Sequence, residues 1–350
     1  MNSPADPRQT QALVWIQNQR STLNSLGWEV TPESIQPASS DASFRRYFRL
    51  QAQRKGLPSH LILMDAPPEK ENIQPFITIS RLLAQAGVQS PAIWMDDPAQ
   101  GFLLCDDLGN DTYAQVIASR GHDQQTCRSL YQDAHQALVR FQRFSLEHLN
   151  APTITSLMPY DHGRLMQEMR LFDEWFLAHK TPIRMGEAER EQLFQIYDRI
   201  ARACLSQPTA LVHRDYHSRN LMLTSQNNPG ILDFQDAVMG PLTYDLVSLL
   251  RDAYVEWPEE VQLDWAIDYW DKARQAQLPV PGDFSDFWRD FEWMGLQRHL
   301  KVLGIFTRLS VRDGKDGYLK DIPVVLRYAI SVARRYQGLG PLAKLLERCV

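Results

Sequence analysis

Asp215, Asn220 and Asp233 are the residues of this chain whose types and spacing carry the plainest chemistry. They fall in Leu211-Val212-His213-Arg214-Asp215-Tyr216-His217-Ser218-Arg219-Asn220-Leu221-Met222-Leu223 and in Gly230-Ile231-Leu232-Asp233-Phe234-Gln235-Asp236. Asp215 and Asn220 share a loop between apolar runs, and Asp233 ends the next apolar run. A tight antiparallel pairing of those runs would bring Asn220 and Asp233 together. One amide and one carboxylate, with room left for phosphate oxygens, suit Mg²⁺. Asp215 is then placed to face an attacking hydroxyl, orient it and accept its proton. Such a set would carry phosphoryl transfer, in which positioning and charge neutralisation do most of the catalysis. A single loop Asp is more often a turn or cap residue, so it is the combination that carries this expectation. His213 and His217 also suggest a metal pair, but they flank a strand run and not a helix. Asp236 is either a supporting carboxylate or a solvated one.

These residues need elements to hold them. The 350 residues suit two packed lobes, and 44% hydrophobic with 23% charged residues excludes global disorder. A net charge of −5 excludes a general nucleic-acid binder, which needs a basic footprint. No apolar run approaches the roughly 20 residues of a spanning helix, and the first residues lack the pattern of a signal peptide. Cys105, Cys127, Cys204 and Cys349 show no zinc spacing. A soluble, cytoplasmic protein with reduced thiols is expected.

The first part mixes strands and helices. Leu13, Trp15, Ile16, Leu23 and Leu26 mark an amphipathic opening helix. Strands are expected at 44–50, at 61–65 (stopped by Pro67-Pro68), at 92–95 and at 101–105, with a helix over 74–85 closed by Gly87. Beyond Gly109 helical periodicity dominates, at 124–144, 161–178, 188–205, 244–254, 259–276, 284–309 and 324–336. A strand-rich island interrupts it at 211–233. The fold class is therefore α+β and bilobal: a small β-rich N-lobe, 1–108, and a larger helical C-lobe, 109–350. A hinge is expected at 106–109, and a cleft between the lobes is the natural ligand site.

A phosphate clamp is expected on the first hairpin, Ala38-Ser39-Ser40-Asp41-Ala42-Ser43-Phe44-Arg45-Arg46-Tyr47-Phe48. Its tip has no glycine, yet small residues let backbone N–H groups reach phosphate oxygens, and Ser40 and Ser43 add hydroxyls. Arg45 or Arg46 would add charge. An ordinary Ser-Ser-Asp turn is the plainer alternative. The strand entering the hinge offers backbone groups to an adenine edge, with Cys105, Asp106 and Leu108 as the candidates.

The pattern H-x-D-x-x-x-x-N at 213–220, followed by Asp233-Phe234-Gln235, resembles the aminoglycoside phosphotransferase/choline kinase branch of the protein-kinase-like fold. The likeness runs from about Ser39 to Arg251. It implies ATP and Mg²⁺ as cofactors, Asp215 as catalytic base, and Asn220 and Asp233 as metal ligands. It also implies His213 and Arg214 as loop supports, and Asp245, in Pro241-Leu242-Thr243-Tyr244-Asp245-Leu246, as the residue that bonds the loop backbone. One feature departs from that family. The strand Leu61-Ile62-Leu63-Met64-Asp65 has no basic residue for the α- and β-phosphates, and no acidic partner is evident near Phe76-Ile77. Lys70 and the hairpin arginines are the nearest substitutes.

Four segments are similar to the cell-wall sugar kinases that phosphorylate the anomeric hydroxyl of N-acetylmuramate and N-acetylglucosamine. They are the hairpin 39–48, Met64-Asp65-Ala66-Pro67-Pro68, 244–254 and Gly295-Leu296-Gln297-Arg298-His299-Leu300-Lys301-Val302-Leu303-Gly304. The likeness implies that the missing lysine is a subfamily trait. It further implies a role in peptidoglycan recycling, upstream of a sugar-1-phosphate nucleotidyltransferase and without a stable complex. The partner is then a small-molecule amino sugar, with no nucleic acid and no membrane involved. A muramate carboxylate would want cations, and Arg251, Arg298 and Lys301 are the candidates, a solvated helix face being the alternative. Trp257, Trp265, Trp288 and Trp293 could stack on a sugar or simply pack in the core. Another alcohol (an aminoglycoside, choline, homoserine or thiamine) or a nucleotide-binding pseudokinase are the other readings of the same residues.

Overall fold

The computed structural model describes residues 6–40, 44–121 and 123–350. The chain divides into two compact units, Met1–Asn110 with Gly230–Gln235, and Asp111–Pro229 with Asp236–Val350.

The first unit is built on a five-stranded antiparallel sheet in the order β1-β2-β3-β5-β4. The strands are β1 (Trp28–Ser40), β2 (Arg46–Arg54), β3 (Leu57–Asp65), β4 (Ile93–Asp97) and β5 (Phe102–Asp106). Alternate residues of β2, namely Phe48, Leu50 and Ala52, turn inward with Leu61 and Leu63 of β3. They close over Trp15, Ile16 and Leu23 from the helices Pro7–Asn18 and Arg20–Ser25. This is the period-2 burial of a half-covered sheet. β5 lies between two neighbours and is buried along Phe102–Leu104 and at Cys105. Lys55 and Gly56 join β2 to β3 with φ of 52° and 76°, the mirror-image turn whose twist matches a two-residue hairpin. Gly101 has φ of 72°, and a Cβ there would stand 1.9 Å from the carbonyl oxygen of Ala66. Glycine is what lets the two segments bond, Ala66 N–H to Gly101 O at 2.8 Å.

β1 was not expected from the sequence, because Pro32, Pro37 and a polar composition hide it. It survives as an edge strand, broken by register shifts between Thr31 and Gln36 and between Pro37 and Ser39, where a missing N–H is tolerated. The helix Gln74–Gln85 buries Phe76, Ile77, Ile79, Leu82 and Leu83, and Phe76 meets Phe234 with ring centroids 4.6 Å apart.

The second unit is mainly helical. Its long members are Gln124–Glu147, Glu187–Leu205, Glu259–Gln275, Phe284–Asp313 and Ile322–Arg335. The strands Thr209–Val212 and Val238–Pro241 pair antiparallel, with Leu211 opposite Met239. Three expected helices differ in detail. The helix begun at His162 leaves α geometry after Leu171 for a π turn over Phe172–Leu177. The helix Tyr244–Leu250 stops short because Asp252 turns back to the loop before it, as described below. The helix Phe284–Asp313 runs on to a left-handed cap at Gly314, φ 67°. Among the described residues no helix is long and apolar enough to cross a membrane.

Candidate active site

The strand Thr209–Val212 delivers the chain into the loop 213–220, and that loop is held at nearly every residue. Asp245, at the start of the helix Tyr244–Leu250, accepts the backbone N–H groups of His213 at 2.6 Å and Arg214 at 2.9 Å. Those bonds stabilise Arg214 in the left-handed region, φ 80°, which an Arg does not enter unaided. The Asp215 N–H donates to His213 Nδ1 at 3.2 Å, so that ring serves the loop. Tyr216 is buried and its hydroxyl donates to the Ala134 carbonyl at 2.8 Å. Ser218 donates its N–H to Asp252 at 3.0 Å, and Asn220 donates its side-chain amide to the Asp215 carbonyl at 2.9 Å.

Asp215 lines a cavity of about 250 Å³ together with side chains of two kinds. Arg214, His217, Asp236, Asp252, Arg298 and Lys301 are polar or charged. Tyr254, Val302, Ile305, Phe306 and Tyr318 are aromatic or aliphatic. Tyr318 lies 5.3 Å from Phe306 between centroids, and Tyr254 carries the Arg219 guanidinium 3.5 Å over its ring. Burial alone would raise the pKa of Asp215. The charges of Arg298 and Lys301, then His217 and Arg214, outweigh it and hold the carboxyl well below the usual range. The cavity therefore presents an anion to whatever hydroxyl enters it.

Behind that anion lies a buried network the sequence did not foretell. Glu168 receives Arg214 Nη2 at 2.7 Å and the hydroxyl of Tyr160, and Lys301 Nζ stands 3.2 Å from it. Burial would neutralise Glu168, but the charges of Lys301 and Arg214 more than compensate and keep its pKa low. Its signal in the sequence is a charge on an apolar face: Leu165, Glu168, Met169 and Phe172 follow the helical spacing i, i+3, i+4, i+7.

In the first unit, Asp233 has a left-handed backbone, φ 59°, and its carboxylate accepts Gln235 Nε2 at 2.8 Å, with Arg45 Nη2 3.9 Å away. The two hairpin arginines part ways here. Arg46 bonds Asp65 through Nε at 3.1 Å and also pairs with Asp6, while Arg8 holds the other oxygen of Asp65 at 2.9 Å. Arg46 is thus bound into the sheet, and Arg45 is the cation beside Asp233. Ser40 ends β1 opposite Arg46, whereas Ser43 lies outside the described residues. Cys105 is paired on both sides, to Ile62 and Ile93, and the Asp106 N–H donates to the Ala92 carbonyl at 3.0 Å. The side chain of Asp106 accepts Trp94 Nε1 at 2.6 Å. Leu108, past the last paired residue and half-buried, is the position on this segment least committed to the sheet.

Asn220 and Asp233 offer the hard oxygen atoms that Mg²⁺ takes. Among the described residues no group of three or more His, Cys, Asp or Glu could hold a metal ion.

Arg251 is not brought to the cavity. Its side chain, 3% exposed, donates to Glu292 at 2.9 Å and Gln262 at 3.1 Å and lies over the Phe291 ring, tying three helices together. The four tryptophans also sit elsewhere. Trp257 and Trp265 pack on Tyr131, Trp288 on Phe291 and Trp293 against Tyr336. The aromatic rings of the cavity are instead Tyr254, Phe306 and Tyr318.

Residues 34–278 match the model of the phosphotransferase enzyme family. A protein of Pseudomonas putida named N-acetylmuramate/N-acetylglucosamine kinase is 43% identical over 344 residues, which is 97% of this chain and 96% of that protein. Among solved structures, the ADP-bound aminoglycoside phosphotransferase APH(2'')-Ib is similar with a TM-score of 0.55 at 15% identity, over 88% of this chain and 96% of that one. The choline kinase LicA from Streptococcus pneumoniae gives 0.57 at 13% identity, over 91% and 99%. At those identities the likeness is one of fold, and it is the fold of phosphotransferases.

Proposed function

This chain belongs to the phosphotransferase enzyme family, and we propose that it transfers the γ-phosphoryl group of ATP to the anomeric hydroxyl of N-acetylmuramate, N-acetylglucosamine or both. The product is the sugar 1-phosphate, and the reaction belongs to cell-wall recycling, where a nucleotidyltransferase would consume it. The observation that carries this reading is the cavity at Asp215, lined by polar and by aromatic or aliphatic side chains together. A pyranose with an N-acyl group has the same mixed character, with hydroxyls for polar neighbours and C–H and methyl groups for apolar ones. The 43% identity to a kinase named for these two sugars supports it.

In this reading Asp215 accepts a hydrogen bond from the anomeric hydroxyl, aligns its oxygen with the phosphorus and takes the proton as the bond forms. An anomeric hydroxyl is more acidic than an ordinary alcohol, so a carboxylate held ionised by its neighbours is adequate to the task. Asn220 and Asp233 are the residues that would hold Mg²⁺, and the ion would neutralise phosphate charge. Arg45 is the hairpin cation directed to nucleotide phosphate, and Leu108 the hinge residue whose backbone meets the base. Asp245 and His213 hold the loop.

Phosphorus NMR of the purified protein with ATP, Mg²⁺ and a panel of N-acetylated sugars, aminoglycosides and choline tests the proposal. A new resonance split by coupling to an anomeric proton is the expected result. Phosphate appearing only on an aminoglycoside or choline would refute the acceptor and keep the chemistry. ATP bound without transfer to any acceptor would refute both.

A further inference from the structure

Arg298 and Lys301 line the cavity, yet their side chains are only 8% and 6% exposed, and the bonds they make lead toward the protein. Arg298 Nη1 donates to the Arg214 carbonyl at 2.9 Å, the peptide that enters Asp215, and to the Tyr244 hydroxyl at 3.2 Å. The same nitrogen stands 3.6 Å from Asp215 Oδ1. Lys301 Nζ donates to that Tyr244 hydroxyl at 3.0 Å and faces Glu168 at 3.2 Å. Glu168 in turn grips Arg214, and Gln297 Nε2 reaches its second oxygen at 3.3 Å. Side chains at 297, 298 and 301 of one helix thus converge on a single loop residue from behind.

We propose that Arg298 and Lys301 are positioning residues. Through Tyr244, Glu168 and the Arg214 carbonyl they fix where the Asp215 carboxylate stands in the cavity, and they do not bind the acceptor. This rests on Asp215 being the residue that meets the reacting hydroxyl. Lys301 makes no bond to Asp215 and reaches it through Tyr244 and Glu168 and through its charge. Its loss would let the loop relax by a fraction of an ångström, enough to misalign attack without closing the cavity.

The test is steady-state kinetics of the full-length protein with ATP and N-acetylglucosamine or N-acetylmuramate, followed with radiolabelled ATP. The variants are Lys301→Met, Lys301→Arg, Asp215→Asn and the double variant Asp215→Asn/Lys301→Met. Lys301→Met is expected to lower kcat about 10- to 100-fold with both KM values within about twofold of wild type. Lys301→Arg restores most of the loss. In the Asp215→Asn background Lys301→Met has no further effect, because the residue it positions is already disabled. A raised acceptor KM at unchanged kcat would make Lys301 an acceptor ligand and overturn the proposal. So would a loss of kcat that is equally large with and without Asp215. Should Lys301→Met not fold, Glu168→Gln, which keeps the shape and removes the counter-charge, must show the same split between kcat and KM. Wild-type turnover in Asp215→Asn would instead refute the role of Asp215, a different and recognisable outcome.

Discussion

Lys301 Nζ stands 3.2 Å from Glu168 Oε1, and one helical turn further along each helix Gly304 meets Leu171. The second contact makes the first possible. A Cβ at position 304 would lie 2.3 Å from the carbonyl carbon and oxygen of Leu171, so the helix Phe284–Asp313 approaches the end of His162–Leu171 at backbone distance. At that distance the Lys and the Glu are held together with little room for water.

Gly304→Ala is therefore expected to destabilise the protein by about 2 to 3 kcal/mol, the range of a forced overpacking against backbone. Urea unfolding followed by circular dichroism measures it. A variant as stable as wild type would show that the two helices separate freely and that the contact sets nothing.

The two hairpin arginines should separate in function. Arg45→Met is expected to raise the KM for ATP several-fold and leave the melting temperature within about 2 °C of wild type. Arg46→Met should do the reverse, because it removes one of the two cations on Asp65, whose side chain is 1% exposed. A loss of roughly 1 to 3 kcal/mol in stability is expected. The comparison of KM with melting temperature checks both arms. If Arg46→Met instead raised the KM for ATP at full stability, the assignment of the two side chains would be reversed.

Tyr318 offers a ring to the cavity, in contact with Phe306. A sugar's C–H face against such a ring contributes on the order of 1 kcal/mol. Tyr318→Ala is accordingly expected to raise the acceptor KM about fivefold to tenfold with the KM for ATP unchanged. Equal effects on both substrates would place Tyr318 outside the acceptor site.

Acid should weaken the fold through His135 and Asp268. His135 is fully buried and lies 2.8 Å from Asp268. Burial lowers its pKa below the ordinary 6.5, and the bond to Asp268 offsets that only in part. As pH falls through 6.5 the unfolded chain takes up a proton that the folded chain refuses, so stability is present above that pH and lost below it. Asp268 is held at about 2 in spite of its burial by bonds from His135 and Lys272. Its contribution is intact above the ordinary 3.8 and disappears as pH drops from there toward 2. Urea midpoints at about pH 7, 6 and 5 should fall, and His135→Gln should flatten that slope without abolishing it, since His217 and His299 are shifted the same way. An identical slope in the variant would remove His135 from the account.

The loop 213–220 and its anchor Asp245 were legible from residue order because they are close in sequence. Asp215 and Asn220 share one loop, the run ending at Asp233 follows directly, and Asp245 opens the next helix, so no long-range packing is needed to group them. The long helices were legible for a similar reason, since a 3.6-residue period is a local property. β1 was not, because an edge strand with two prolines has no pattern that distinguishes it from a loop.

The charged residues of the helices divided on grounds the sequence does not contain. Arg251, Arg298 and Lys301 all read as cations available to a sugar carboxylate. Tertiary structure decided that Arg251 closes on Glu292 and Gln262 and does not line the cavity, and that Arg298 and Lys301 reach the loop through Tyr244 and Glu168. Trp257 and Trp265 went to the core, Trp288 and Trp293 to half-buried positions outside the cavity, and three other rings to the cavity, on the same principle. Periodicity fixes which face of a helix a side chain occupies, but whether that face meets water, a partner charge or a cavity depends on which helix lies across it and how near. Here that distance was set by a glycine against a backbone carbonyl.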